Sequence, residues 1–217
     1  MSNDSSVKGD TYYIGIFGKK MINNLTLTTG VGYQYGNYDV NRNIRNNYQS
    51  IMNYGDAKTH SFDIYLDSKY TFQFENGFII EPNIRLSQTL INQRKVSEKN
   101  SSLAIDVDRK NYSVPQIDLG MNFSKSIPLK KSLITTTLGV GYSKNLGPEK
   151  KELTGKMKNS TNFNFLGSNM NDDSFYINLK AEIENKNGIS YNINAGIQQG
   201  KNKQNNVNVG IGIGYKF

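Results

Sequence analysis

Few residues in this chain are of a type that performs chemistry. All 217 positions hold no cysteine, which excludes a thiolate nucleophile, a disulfide framework and a Cys-based zinc site. The one histidine, His60, is a lone candidate base; Thr59 and Ser61 flank it, no acid converges on it, and it is expected to be exposed near a strand end. Charged residues at even spacing stand out instead: Lys180, Glu182 and Glu184, Glu81 with Arg85, and Asp118. On a strand each set falls on one face. There it could act as acid and base or line a pore, and mutual pairing inside a polar interior is the favoured reading. Gly210-Ile-Gly-Ile-Gly214 imitates a phosphate-binding run, but that motif requires a helix after it, and here the chain runs out at Phe217. No catalytic residue, metal site or cofactor is expected.

The elements that position these residues are legible from period-two alternation. Val207, Val209, Ile211, Ile213, Tyr215 and Phe217 alternate with Asn206, Asn208, Gly210, Gly212, Gly214 and Lys216. Ile189 to Ile197 and Phe175 to Ile183 repeat the pattern, the latter placing Lys180, Glu182 and Glu184 opposite its apolar face. Ile134 to Tyr142, Pro115 to Phe123, Phe78 to Leu86, Phe62 to Phe74, Leu25 to Tyr35 and the shorter Tyr12 to Lys19 complete a set of nine strands. Their connections alternate in kind. Met21 to Asn24, Glu75-Asn76-Gly77, Ile127 to Lys131 and Asn185 to Gly188 are tight turns of Asn, Gly and Lys. Asp39 to Ala57, Arg94 to Asn111 and Ser143 to Asp172 are long polar loops, and Gly200 to Asn205 is the shortest of that class.

An antiparallel meander with short turns at one rim and long loops at the other is the layout of an outer-membrane barrel. A soluble barrel also alternates, with its apolar face turned inward. Aromatic residues distinguish the two. Tyr70, Phe72, Phe74, Phe78, Tyr215 and Phe217 cluster at the short-turn rim, and Tyr33, Tyr35, Phe62, Tyr142 and Phe175 at the long-loop rim, two girdles that suit two membrane interfaces. The fold class is therefore all-β, an antiparallel meander forming a transmembrane outer-membrane β-barrel, with residues 1–10 as a polar N-terminal tail and 11–217 as the barrel. No run approaches the roughly 20 apolar residues of a helical span. The net charge of +8 is scattered over Lys130-Lys131, Lys150-Lys151, Lys201 and Lys203, so no nucleic-acid partner is expected. Asn159-Ser160-Thr161 matches a glycosylation sequon, which carries no weight in a bacterial barrel.

Three stretches resemble the C-terminal translocator domain of autotransporters, the type V secretion proteins of Gram-negative bacteria. Val209-Gly-Ile-Gly-Ile-Gly-Tyr-Lys-Phe217 is similar to the terminal signal read by the barrel assembly machinery, which implies an assembly role for Val209, Ile211, Ile213, Tyr215 and Phe217. Asn76-Gly-Phe-Ile-Ile-Glu81-Pro82-Asn-Ile-Arg-Leu-Ser87 resembles a strand of the family entered from a Gly turn through Glu-Pro. A loop containing Glu98, then Leu103 to Val107 and a strand with Leu119-Gly120 follow, as in the family. The resemblance spans Asp10 to Phe217 and implies the last nine strands of a twelve-stranded barrel, without the first three strands, the plug helix or the passenger. It implies a pore that exports and tethers an N-terminal passenger, with outer-membrane lipid, the assembly machinery, periplasmic chaperones and the passenger as partners and the C-terminus on the periplasmic side. The family's cleavage site, an Asn pair in the plug helix, is not carried over, because Asn23-Asn24, Asn46-Asn47 and Asn205-Asn206 are expected in turns or loops.

Two other readings stand beside this one: a self-standing outer-membrane barrel acting as a small porin or adhesin, and a soluble ligand-binding barrel. The N-terminus carries no secretory signal, which favours a mature fragment or the tail of a larger precursor. Nine strands of a meander cannot close with antiparallel neighbours all round, so Tyr12 to Lys19 and Val207 to Phe217 are expected as free edges, unless a tenth strand lies in Ser101 to Asp108 or before Asp10.

Overall fold

The computed structural model describes residues 5–45, 50–148, 152–157, 160–167, 170–201 and 205–215. Fourteen strands lie in one antiparallel sheet: β1 (Ser6–Ile22), β2 (Leu25–Arg45), β3 (Ser50–Tyr70), β4 (Phe72–Gln73), β5 (Phe78–Gln93), β6 (Val96–Lys99), β7 (Ile105–Val107), β8 (Lys110–Pro128), β9 (Ser132–Leu146), β10 (Glu152–Met157), β11 (Asn162–Leu166), β12 (Asn171–Asn185), β13 (Ile189–Gly200) and β14 (Asn205–Tyr215). Nine of them form the wall in the order β1-β2-β3-β5-β8-β9-β12-β13-β14, each paired with its successor, and β4 continues β3 past Thr71. These are the nine segments in which apolar residues alternate.

The tight turns follow from their sequence. Gly77 and Gly188 adopt φ of 75° and 83°, a region open to residues without a Cβ. Asn76 and Asn187 accept the amides of Phe78 and Ile189 on their side-chain oxygens, at 3.0 and 3.2 Å, and so close each hairpin. Asn23, at φ 51°, starts the two-residue connection between Ile22 and Leu25.

Both faces of the wall match the alternation. Outward stand Phe62, Ile64 and Leu66 on β3, Leu119 and Met121 on β8, and Ile177 and Leu179 on β12, all exposed. Aromatic pairs bound this band at both ends: Tyr70 with Phe72 at 4.8 Å between ring centres near the short turns, and Tyr142 with Phe175 at 5.2 Å near the other rim. The opposite face is polar and more covered, with Thr26, Ser124, Ser143 and Ser174 buried. The sheet curls about that face: Phe17 and Lys19 of β1 line one cavity of about 470 Å³ together with Tyr176 and Asn178 of β12.

Three features differ from the sequence expectation. The polar tail assigned to residues 1–10 is shorter, since Ser6 to Asp10 already pair with Asn41 to Asn37. The long loops are largely strand: β2 and β3 run on to Arg45 and from Ser50, and β6, β7, β10 and β11 continue the sheet in the order β3-β6-β7-β10-β11. These segments lie beyond the apolar band. They are three to six residues long, so the alternation that some keep, as in Phe163 with Phe165 and Ile105 with Val107, covers too few positions to mark a strand. Asn205 and Asn206 likewise belong to β14 rather than a loop, while Asn46, Asn47 and the sequon residue Asn159 lie outside the described residues. The segment Ser101 to Asp108 contains β7, which joins the extension and not the wall, so it supplies no tenth wall strand.

Candidate functional site

The candidate site is the polar face of the wall with the rim extension above it. Glu81 lies on this face, but its partner is Lys69 on β3, at 3.0 Å, and Thr71 donates to the same carboxylate oxygen at 2.9 Å. The pairing of Glu81 with Arg85 expected from their shared face does not form. Four residues along a strand separate them by roughly 13 Å, whereas the neighbouring strand is under 5 Å away. Arg85 instead stacks on Tyr65, with its guanidinium carbon 3.9 Å from the ring centre. Asp118 accepts from Gln116 at 2.7 Å and lines a cavity with Asp67, Arg85 and Tyr176. Lys180 and Glu182 do pair, at 2.5 Å, and Glu184 shares their face of β12. All six predicted polar residues therefore fall on one face, in a field where cations and carboxylates neutralise each other.

Glycine and tyrosine shape the same face. The Tyr176 ring lies across Gly120 and Gly141 on two neighbouring strands, and a Cβ on Gly30 would come within 2.6 Å of the Tyr65 ring. Small residues make room for large ones. In β14, Gly210, Gly212 and Gly214 face this side over Asn194, Asn192 and Ser190, while Val209, Ile211, Ile213 and Tyr215 stand outward. Phe217, the last residue of the expected assembly signal, lies outside the described residues.

Sequence reasoning missed the rim extension and its ion pair. Arg42 of β2 forks onto Glu98 of β6, with Nε–Oε1 2.9 Å and Nη2–Oε2 2.6 Å, and also donates to the Leu103 carbonyl at 2.8 Å. The Ile105 amide donates to Glu98 Oε2 at 3.0 Å. Burial works against the Glu98 carboxylate, but Arg42 and the Ile105 amide outweigh it and hold its pKa below the usual value, while the bond to Glu98 raises that of Arg42. Fully buried Asn53 accepts from Ser101 at 2.7 Å, and Asn100 ties the strand to Met52 at 2.8 Å. His60 departs from expectation as well: its ring is half-buried, Tyr33 bonds Nδ1 at 2.6 Å, and Tyr35 packs 5.3 Å away. Among the described residues no cluster of three potential metal ligands occurs.

The Autotransporter beta-domain family profile matches residues 1–196. The chain belongs to that family. It is an outer-membrane domain that anchors and translocates a passenger, and family members of this kind transport rather than catalyse. Among solved structures, the translocator domain of autotransporter NalP from Neisseria meningitidis superposes with a TM-score of 0.76 at 15% identity, over 98% of this chain and 68% of that one. The β domain of the Bordetella autotransporter BrkA superposes with a TM-score of 0.65 at 15% identity, over 97% of this chain and 73% of that one. No curated protein sequence matches the chain. The family match stops before β14, so the outward Val209, Ile211 and Ile213 of this translocator domain stand on the alternation of the structure alone.

Proposed function

We propose that the polar face lines the conduit through which the passenger passes, with the short turns in the periplasm and the β6-β7-β10-β11 extension at the cell surface. One observation carries this reading. The wall has hairpin turns of a few residues at one rim and a folded, ion-paired sheet at the other, the asymmetry of barrels whose long loops face outward. The paired charges of the lined face, Lys69 with Glu81 and Lys180 with Glu182, offer an extended polypeptide a wet and nearly neutral surface. We assign no catalytic residue. β14, with Val209, Ile211, Ile213 and Tyr215 outward and Phe217 following it, serves as the strand presented to the barrel assembly machinery after periplasmic chaperones deliver the chain, and the outward band contacts outer-membrane lipid. The C-terminus then lies on the periplasmic side.

The orientation can be tested directly, because the chain has no cysteine of its own. In intact cells producing the full precursor, a membrane-impermeant maleimide should label Ser102→Cys in the extension and leave Asn187→Cys in a short turn unlabelled until the outer membrane is permeabilised. The reverse pattern would refute the orientation and with it the proposed path.

A further inference from the structure

The outward face at the long-loop rim of β2, β3, β5 and β8 carries an ordered change of chemistry that the passenger pathway does not use. The antiparallel register aligns Tyr33, Phe62, Leu90 and Ser113 in one row across the four strands. Tyr35, His60, Asn92 and Asn111 form the next row outward. Arg94 donates its amide to the Lys58 carbonyl at 2.9 Å, so the register continues one step and sets Asn37, Lys58, Arg94 and Arg109 in a third row. Successive rows are about 7 Å apart along the strands. Lys58, Arg94 and Arg109 are exposed, and none forms an ion pair among the described residues. Asp39 and Asp56, one row beyond, bound the positive field on its outer side, and Asp10 of β1, opposite Asn37, ends the third row itself.

A groove of about 470 Å³ runs through the first two rows, with Phe62 and Leu90 at its apolar end and His60, Asn92 and Asn111 at its polar end. With its carboxamide oxygen turned towards Arg109, Asn92 accepts from Nε at 3.0 Å and Nη2 at 2.8 Å, which fixes that guanidinium on the outward side at the mouth of the groove. His60 Nε2 is buried there without a hydrogen-bond partner among the described residues.

We propose that this face binds one phosphate-bearing lipid of the outer leaflet, with its phosphate on Lys58, Arg94 and Arg109 and an acyl chain in the groove over Phe62 and Leu90. The proposal rests on the orientation given above, which places this rim at the outer interface. Three cations at the headgroup level, directly above an apolar groove on the lipid-facing wall, match an anionic amphiphile in both charge and order. A soluble anion would leave the groove unused, and an uncharged lipid would leave three cations at the groove mouth with no charge nearer than the carboxylates at the edges of their field.

The test is native mass spectrometry on the full precursor extracted from the outer membrane in a neutral detergent, titrated with diphosphoryl lipid A, with the same lipid stripped of its phosphates, and with inorganic phosphate. The diphosphoryl lipid should bind one per barrel. The Lys58→Gln, Arg94→Gln, Arg109→Gln triple variant should weaken it by about 100-fold, at roughly a factor of five per interfacial cation. Phe62→Ser with Leu90→Ser, which empties the groove and keeps the cations, should weaken it as well. A control triple at the short turns, Lys130→Gln, Lys131→Gln and Lys186→Gln, should bind as wild type. Equal affinity in the rim triple, equal binding of the dephosphorylated lipid, an equal loss in the control, or full displacement by millimolar inorganic phosphate would each overturn the proposal. Maleimide labelling on the same samples separates the two readings: a reversed orientation fails there, whereas a wrong lipid assignment leaves that pattern intact.

Discussion

Replacing Arg42 by Met tests whether the sheet beyond the rim is a folded unit. Its guanidinium holds a Glu98 side chain that is only 8% exposed, while Arg42 itself is 30% exposed. Removing one partner of a buried pair costs about 3–5 kcal/mol, because the remaining charge is left without compensation. Here the Ile105 amide still donates to Glu98, and water can enter where Arg42 stood, so about 2–3 kcal/mol is the expected loss. That corresponds to roughly 30- to 150-fold more frequent opening of β6 and β7. Hydrogen exchange on the folded barrel reads this directly, with a peptide over 96–107 reporting the pair and one over 175–183 serving as the wall control. Arg42→Met combined with Glu98→Gln should exchange more slowly than Arg42→Met alone, since no buried charge then remains. The dependence on pH has a definite sign. The folded Glu98 pKa lies below its ordinary 4.5, so its stabilisation is fully present above that value and is lost as the pH falls through the lower folded value. Glu98→Gln should abolish this acid loosening. Unchanged exchange of 96–107 in Arg42→Met would refute the claim that the pair holds the extension.

Gly141→Ala in the full precursor should lower the free energy of urea unfolding from liposomes by about 1–3 kcal/mol, and with it the midpoint, because its Cβ would press on the Tyr176 ring and lie 2.6 Å from the Leu119 carbonyl oxygen. Adding Tyr176→Ala should restore part of the loss, and an unmoved midpoint would mean the ring does not pack there. Leu179→Arg, at the middle of the outward band, should cost about 2–4 kcal/mol in liposomes, and Asn178→Arg on the opposite face much less. Equal costs would deny that one face alone meets lipid. Tyr215→Ser or Phe217→Ser in the full precursor should reduce the heat-modifiable fraction recovered from cells, and normal recovery of both would remove the assembly role from that terminus.

How much the chain discloses depends on where each residue meets lipid. The nine wall strands are legible because hydrocarbon forces an apolar residue at each outward position, hence at every second residue, as in Val207 to Ile213 and Ile177 to Ile183. Beyond the girdles β6, β7, β10 and β11 span only three to six residues each, too few for the alternation of Phe163 with Phe165 or Ile105 with Val107 to stand out, and they pass for loops. Faces are legible from parity, but partners are not. Lys69 meets Glu81 only because β3 and β5 adopt one particular register, and Arg42 meets Glu98 only because two rim segments 56 positions apart fold onto each other. The row of Lys58, Arg94 and Arg109 lies two steps past Phe62 and Leu90, in or next to segments that read as loops, and only the register of β3, β5 and β8 brings its members together.

The two ends of the wall constrain what completes it. Among the described residues β1 pairs with β2 alone and β14 with β13 alone. Outward Val209, Ile211 and Ile213 are 73%, 86% and 78% exposed, against 47% for Ile64 and 46% for Ile177 inside the wall, as expected where a flanking strand is lacking. Each unpaired backbone group at such an edge costs several kcal/mol in lipid. Nine strands in an antiparallel meander leave β1 and β14 pointing the same way, so direct closure would need a parallel seam, unlike the antiparallel seams of single-chain bacterial barrels. A second copy does not resolve this. Joining β14 of one copy to β1 of the next is again parallel, and joining β1 to β1 antiparallel would invert one copy and bring its charged extension to the opposite interface. An odd number of further strands between the two edges makes every seam antiparallel. The chain alone should therefore fail to give a heat-modifiable, protease-resistant barrel, whereas joining it to strands from its own precursor should restore one. A closed, protease-resistant monomer formed by these residues alone would refute the need for further strands and favour the self-standing barrel.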